Sequence, residues 1–517
     1  MLEKQAIKRI QKKAREFTQI TVDDDYIVKD QKPDVMKIIH TKGELCFDEV
    51  KPSGQMVWVS GKLNFSVLYR CEGEEGLPES LCGSVAIREK VLLDGDWEET
   101  PIHLQGKLED LSIGIINSRK LSVRAVIDLE IVGEEILEEE VVCRLDAGEQ
   151  MEEKYAQKEI MNLICTKRDV LRIHNEVSLP NSKDNIREIK YSQIDVRNLE
   201  SEISNGKIKV QGEAWVCAIY LGEEKKTECY ENAIPFSGEL ELDCLAEPDI
   251  YWIKAHATDC EVEARNDYDE ESRILGVELC LDVEYKLWQE EKITLLEDAY
   301  ALDREVTLVR QEGILPVFGI KNTAKVRVAD SFRIEKEDEK ILQLCFSTAE
   351  ASVDQVEPVS GGLRFEGILQ VHLIYLAAED EFPLVHTQVA IPFEQTVEIM
   401  RDAENICYDY EVWVDRIQVN LMDNREYEVK GTISIGVLVW EDECYERITD
   451  VTQKESQNAS SQLPGIVGYC AQEEQCLWDI AKKYHTTVED IQTTNGIMEN
   501  TIPANTKIII VKKGAKW

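Results

Sequence analysis

The chain has 517 residues, 43% of them hydrophobic, which suits three or four packed domains and excludes disorder over most of its length. Its 101 acidic side chains outnumber 59 basic ones. The resulting formal net charge of −42 repels phosphate backbones and argues against nucleic-acid binding.

The first predicted element is an amphipathic helix over residues 1–17, which with a connector fills residues 1–30. Leu2, Ile7, Ile10, Ala14 and Phe17 fall roughly on one helical face, and Lys4, Lys8, Arg9, Lys12, Lys13 and Arg15 fall on the other. Such a helix either lies on an anionic membrane surface or packs against an acidic first β domain. The segment lacks the continuous apolar stretch that export requires, and the chain has no apolar run of 18 residues. The expectation is a protein that stays in the compartment where it is made. Asp23-Asp24-Asp25 lacks the spacing of a calcium loop and reads as a solvated connector.

Three stretches then repeat one pattern. GQMVWVSGKLNFSVLYR, GKIKVQGEAWVCAIYL and GGLRFEGILQVHLIYL all alternate apolar and polar residues, the period of half-buried strands. Gly61, Gly212 and Gly367 hold equivalent places, and Asp48, Asp195 and Asp354 precede the three blocks. Downstream of the second and third glycines stands the same tetrapeptide, Ala233-Ile234-Pro235-Phe236 and Ala390-Ile391-Pro392-Phe393. In the first repeat Ala86-Ile87 aligns with it, Arg88-Glu89 replacing Pro-Phe. Proline cannot donate to a ladder, so Pro235 and Pro392 mark an edge strand or a strand start. LSVRAVIDLEIVG, ILGVELCLDVEYKLW and YEVKGTISIGVLVWED supply a long closing strand for each repeat. The fold class is therefore mainly β: three antiparallel sandwich-like domains over 31–163, 164–322 and 323–450.

These domains show no catalytic motif, neither H-E-x-x-H, nor G-x-S-x-G, nor a phosphate-binding glycine loop. An enzyme is not expected, and neither is a cofactor. The seven histidines lack metal-ligand spacing, so no metal is expected either; His372 and His386 could face each other across a hairpin of the third domain, and read as a pair of ordinary half-buried histidines. Fifteen cysteines, an odd number with no C-x-x-C, read as reduced thiols; Cys217 in AWVCAIY and Cys280 in VELCLDVEY sit in apolar runs.

Residues 451–464 are a polar linker, and 465–517 form a separate, charge-neutral module. Leu477, Ile480, Ala481 and Tyr484 define an amphipathic helix, and Thr486 with Glu489 makes a capping box for a second helix carrying Val488 and Ile491. Strands at 467–471 and 507–511 complete a βααβ order. Tyr469, LWDIAKKYHTTVEDI, Asn495 and IPANTKIII closely resemble a LysM domain. The resemblance implies a shallow groove for N-acetylglucosamine glycans, walled by Gln472, Glu473, Glu474, Gln475 and Cys476 on one side and by residues 496–504 on the other. In place of the family's Gly-Asp-Thr stands Glu474-Gln475-Cys476, which weakens the sugar site. A protein-binding groove would be anchored by Trp478, Ile497, Met498 and Ile502, beside Pro503 and Ala504.

Repeated β domains with this Gly and AIPF signature, a DAYAL segment at 298–302 and a terminal LysM resemble the SipL family of spore-coat proteins, whose β domain is called SPOCS. The resemblance implies a non-enzymatic coat morphogenetic adaptor of a spore-forming bacterium, on the mother-cell side of the outer forespore membrane. Its LysM would dock on the coat-basement ATPase SpoIVA, alongside other coat proteins. The alternative it leaves open is a LysM that binds peptidoglycan of cortex or wall.

Overall fold

The computed structural model describes residues 2–72, 77–93, 97, 101–145, 150–223, 226–242, 244, 247–335, 340–378, 384–399, 406–454 and 465–511. Its first unit contains strands β1 (Leu2–Ile27), β2 (Val35–Ser53), β3 (Met56–Cys71), β4 (Pro78–Leu92), β5 (Ile102–Asn117) and β6 (Lys120–Leu145). The second repeats the order with β7 (Met151–Ser178), β8 (Glu188–Ser204), β9 (Lys207–Leu221), β10 (Thr227–Glu241), β11 (Ile250–Asn266) and β12 (Ser272–Ala301). The third uses β13 (Glu305–Arg333), β14 (Ile341–Val359), β15 (Gly362–Ala377), β16 (Leu384–Glu398), β17 (Ile406–Leu421) and β18 (Glu426–Lys454). Every unit stacks two three-stranded antiparallel sheets, β2-β3-β4 on β1-β6-β5 in the first and the same arrangement in the others. Apolar residues from both sheets meet between them: Leu63, Phe65 and Val67 of β3 pack with Leu121, Val123 and Ile127 of β6. This is the expected sandwich.

The N-terminal helix is not there. Residues 2–27 form β1, paired along its whole length with β6, Leu2 opposite Leu145 and Ile27 opposite Lys120. A bulge between Lys12 and Ala14 explains the misreading. Before it the inward positions are odd (Ile7, Arg9), and after it they are even (Ile20, Val22). The period of two is broken midway, and the remaining apolar spacing imitates a helix. The basic residues answer the acidic run on β6: Lys4 pairs with Glu140 at 3.0 Å, Lys8 with Glu138 at 3.4 Å and Arg9 with Glu139 at 3.2 Å. They face protein carboxylates, which removes the basis for a membrane-surface helix at residues 1–17.

The expected boundaries at 163/164 and 322/323 fall inside the unbroken strands β7 and β13. Pairing groups residues 2–145, 151–301 and 305–454 instead, because each unit opens with a long strand that must pair with its own closing strand. The closing strands were expected. The long opening strands were not. β18 continues to Lys454, into the expected linker, and residues 455–464 lie outside the described residues.

Edge strands β10 and β16 carry the repeated tetrapeptide, so Pro235 and Pro392 sit where a missing N–H costs least. The strand register places Phe236 opposite Gly212 and Phe393 opposite Gly367. A Cβ on Gly367 would come 2.7 Å from the Phe393 ring and 2.1 Å from the Ser352 carbonyl oxygen. Glycine and phenylalanine are thus two halves of one cross-strand contact. In the first unit Ile87 lies opposite Gly61. Ala86-Ile87 therefore replaces Pro-Phe, and the sequence alignment was two residues out, a shift that a period-2 pattern cannot reveal.

The three units close into a ring. β4 meets β8, β10 meets β14, and β16 returns to β2. Leu68, Ile219 and Ile374, each seven residues after its repeat glycine, share one buried cluster at the centre. The outer halves of the long strands pack as three arms; Ile7, Val141, Ile160, Ile293 and Leu315 form one of their shared cores. The 116-residue separation of Cys229 and Cys345 is closed by this ring, and the two form a disulfide between the second and third units. The other thirteen cysteines are free; the expectation of reduced thiols fails at this one pair, which only the ring brings together.

Candidate functional site

The C-terminal module is β19 (Ile466–Cys470), β20 (Gln475–Cys476), α1 (Leu477–Tyr484), α2 (Val488–Asn495), β21 (Thr501–Ile502) and β22 (Lys507–Val511). β19 pairs with β22 as expected. Leu477, Ile480 and Ala481 of α1 and Ile491 of α2 bury against Ile508 and Ile510. The cap of α2 lies one residue later than expected. Thr487 Oγ1 accepts from Asp490 N at 3.0 Å, while the buried Thr486 hydroxyl donates to the Val511 carbonyl at 3.1 Å. Gly496 ends α2 at φ 66°, and the Asn495 side chain ties that end to both N–H and C=O of Ile509.

The two groove walls are joined at their bases. Gln475 pairs with Ile502 and Cys476 with Thr501, bridging β20 to β21. Above this bridge Gln472, Glu473 and Glu474 are exposed on one wall, and Met498, Pro503 and Ala504 on the other. Met498 is 97% exposed. Ile502 is 1% exposed and Ile497 is half-buried against the same core. Ile502 therefore holds the module together and offers no side chain to a partner.

Trp478 is engaged inside the chain. Its Nε1 donates to Asp298 Oδ2 at 2.8 Å, and its ring meets Tyr300 edge-on at 4.9 Å. Lys482 Nζ reaches both oxygens of the same aspartate at 2.6 and 2.7 Å, and the Tyr300 hydroxyl donates to the Thr486 carbonyl at 2.8 Å. The module thus docks through α1 on the DAYAL segment that ends β12. Burial alone would raise the Asp298 pKa, but Lys482 and the Trp478 N–H together hold it below its ordinary value. This dock covers α1 and leaves Met498 and the Glu473-Glu474 pair open to solvent.

The family described as "SipL, SPOCS domain" matches residues 34–116, 185–265 and 340–422, and the LysM domain matches 472–511. The chain has a SipL-like architecture of three SPOCS domains followed by a LysM domain. It is thereby sporulation-related, with a domain of the peptidoglycan-binding type. No curated protein and no solved structure matches the chain. Each SPOCS match runs from the inner sheet through the first strand of the returning pair, β2 to β5, β8 to β11 and β14 to β17; most of the long-arm sequence lies outside it. No helix among the described residues is long and apolar enough to cross a membrane.

A cavity of about 760 Å³ opens where the SPOCS domains meet, lined by Lys42 of the first, Trp252 and Cys260 of the second, and Lys321, Glu350 and Glu411 of the third. Sequence reasoning missed it, since no local pattern brings these residues together. Burial pushes Glu411 up to about 7 and Lys321 down to about 8. Desolvation by the surrounding walls likewise raises the thiol of Cys260, itself exposed at the cavity mouth, to about 11, so it is protonated at neutral pH and poorly suited to act as a nucleophile.

Proposed function

We propose that this protein is a non-enzymatic adaptor of spore-coat assembly, with the SPOCS ring as a rigid interaction scaffold and the LysM groove as its docking site for SpoIVA. The observation that carries this reading is the groove itself. Its first wall lacks Gly-Asp-Thr and presents two adjacent carboxylates, and its second presents Met498 almost wholly to water. A flexible, polarisable thioether beside charged residues suits a protein surface better than a sugar face. Met498, Pro503, Ala504, Glu473 and Glu474 form the proposed contact.

The LysM match supports a second reading, retention of peptidoglycan binding by the same groove. The full chain is tested in parallel against immobilised SpoIVA and insoluble peptidoglycan. The adaptor reading expects retention by SpoIVA and a loss of about tenfold in affinity for Met498→Glu, the scale of an interface anchor. Retention by peptidoglycan alone favours the second reading and rejects the first.

A further inference from the structure

We propose that His40, His372 and His386 form a binding site for one divalent transition-metal ion of the zinc class, clamping the first SPOCS domain to the third. His372 and His386 face each other across the β15-β16 hairpin, as the sequence suggests, with Nδ1 and Nε2 3.2 Å apart. His40 arrives from β2 of the first domain, its ring centroid 4.3 Å from that of His386 and 5.7 Å from that of His372. One ring nitrogen from each residue lies within 4.8 Å of the other two.

Two further observations point to a ligand. His40 is 5% exposed and its Nδ1 has no hydrogen-bond partner, a buried polar atom that the protein alone leaves unsatisfied. The ring's other seams are fastened at the same level. Between β4 and β8 the Lys190 ammonium meets Glu79 at 2.7 Å; between β10 and β14 stands the Cys229–Cys345 disulfide. At the β16-β2 seam stand the three imidazoles. By strand register His40 occupies the place of Tyr191 and Phe346, and His386 that of Ser80 and Cys229.

Tetrahedral zinc, bound to nitrogen at about 2.0–2.1 Å, separates its ligand atoms by about 3.4 Å. The His372–His386 pair already stands near that spacing, and the His40 nitrogen, within 4.8 Å of both, closes on the site by side-chain rotation when the ion binds. Three imidazoles without a carboxylate favour zinc, nickel, copper or iron over magnesium or calcium, and leave a fourth position for water.

The test is a Co²⁺ titration of the tag-free full chain after treatment with chelator, followed by visible absorption. The expected result is one equivalent bound with tetrahedral bands and no thiolate charge-transfer band, displaced by Zn²⁺, with Zn²⁺ raising the melting temperature. His40→Gln and His386→Gln should each weaken binding at least about tenfold, since even indirect metal contacts are worth that much; the exposed His174→Gln should not. The wild-type spectrum decides even if a variant misfolds. Absence of a saturable equivalent, a thiolate band, or undiminished binding by the folded triple variant His40→Gln/His372→Gln/His386→Gln overturns the proposal.

Discussion

Arg197 is 1% exposed, so its charge must be answered from inside the protein. Its Nε donates to Asp195 Oδ2 at 2.8 Å, a terminal nitrogen donates to the Ser347 carbonyl of the third domain at 2.6 Å, and the guanidinium lies 4.4 Å from the Trp215 ring centroid. Asp195 was visible in the sequence as the aspartate that precedes the second repeat block. Its role beside Arg197 at a domain junction was not, because Arg197 is held there by the Ser347 carbonyl, 150 residues away. Arg197→Ala leaves the Asp195 carboxylate buried without its counter-charge and is expected to cost about 3–5 kcal/mol. A denaturant titration should show this as a lowered midpoint; an unchanged midpoint would mean that the carboxylate finds water.

At the scale of elements, β1 and the LysM dock show how neighbours decide what a segment becomes. Residues up to Phe17 carry helix-like apolar spacing, yet an acidic partner strand and a mid-strand bulge make residues 2–27 one strand. In the LysM module, local pattern and environment agree: the apolar stripe of α1, its burial and the antiparallel strand pair were all legible. The use of Trp478 was not, since an indole on a helix face looks the same whether it meets a partner or its own chain. Asp298→Ala removes the acceptor of both Trp478 and Lys482. Hydrogen exchange over residues 477–485 should then rise at least several-fold, while the SPOCS strands stay protected. Because the Asp298 pKa is depressed, its contribution is complete above the ordinary aspartate range and fades only as pH falls through the lower folded value. The dock should therefore persist at pH 5.

The whole molecule is a closed ring of three sandwiches with its arms packed together, and the cavity where its three domains meet makes stability depend on pH. Glu411 lines that cavity with its pKa pushed up to about 7 by burial, so the folded state holds a proton that the unfolded chain has released. Its contribution is complete below the ordinary glutamate range and is lost as pH rises towards and through about 7. Glu411→Gln should abolish that part of the decline, leaving the variant more stable than the parent at pH 8 by roughly 2 kcal/mol after allowance for solvent in the cavity. Thermal melts at pH 5 and pH 8 make the comparison, and equal slopes for the two proteins would show that the carboxyl is already ionised in the fold.

Alternation of apolar and polar residues determined by itself that this chain is mainly β, that one unit recurs three times, and that a βααβ module follows, because strand and helix faces are local properties of the chain. Pro235 and Pro392, expected on an edge strand or at a strand start because proline has no N–H to donate, lie on the edge strands β10 and β16. Domain boundaries, the fate of the N-terminal segment, the disulfide, the three-domain cavity and the gathering of His40 with His372 and His386 were decided only by tertiary structure. Each depends on which distant strand lies alongside. A pattern of period two leaves that choice open, and ring closure among the three domains makes it.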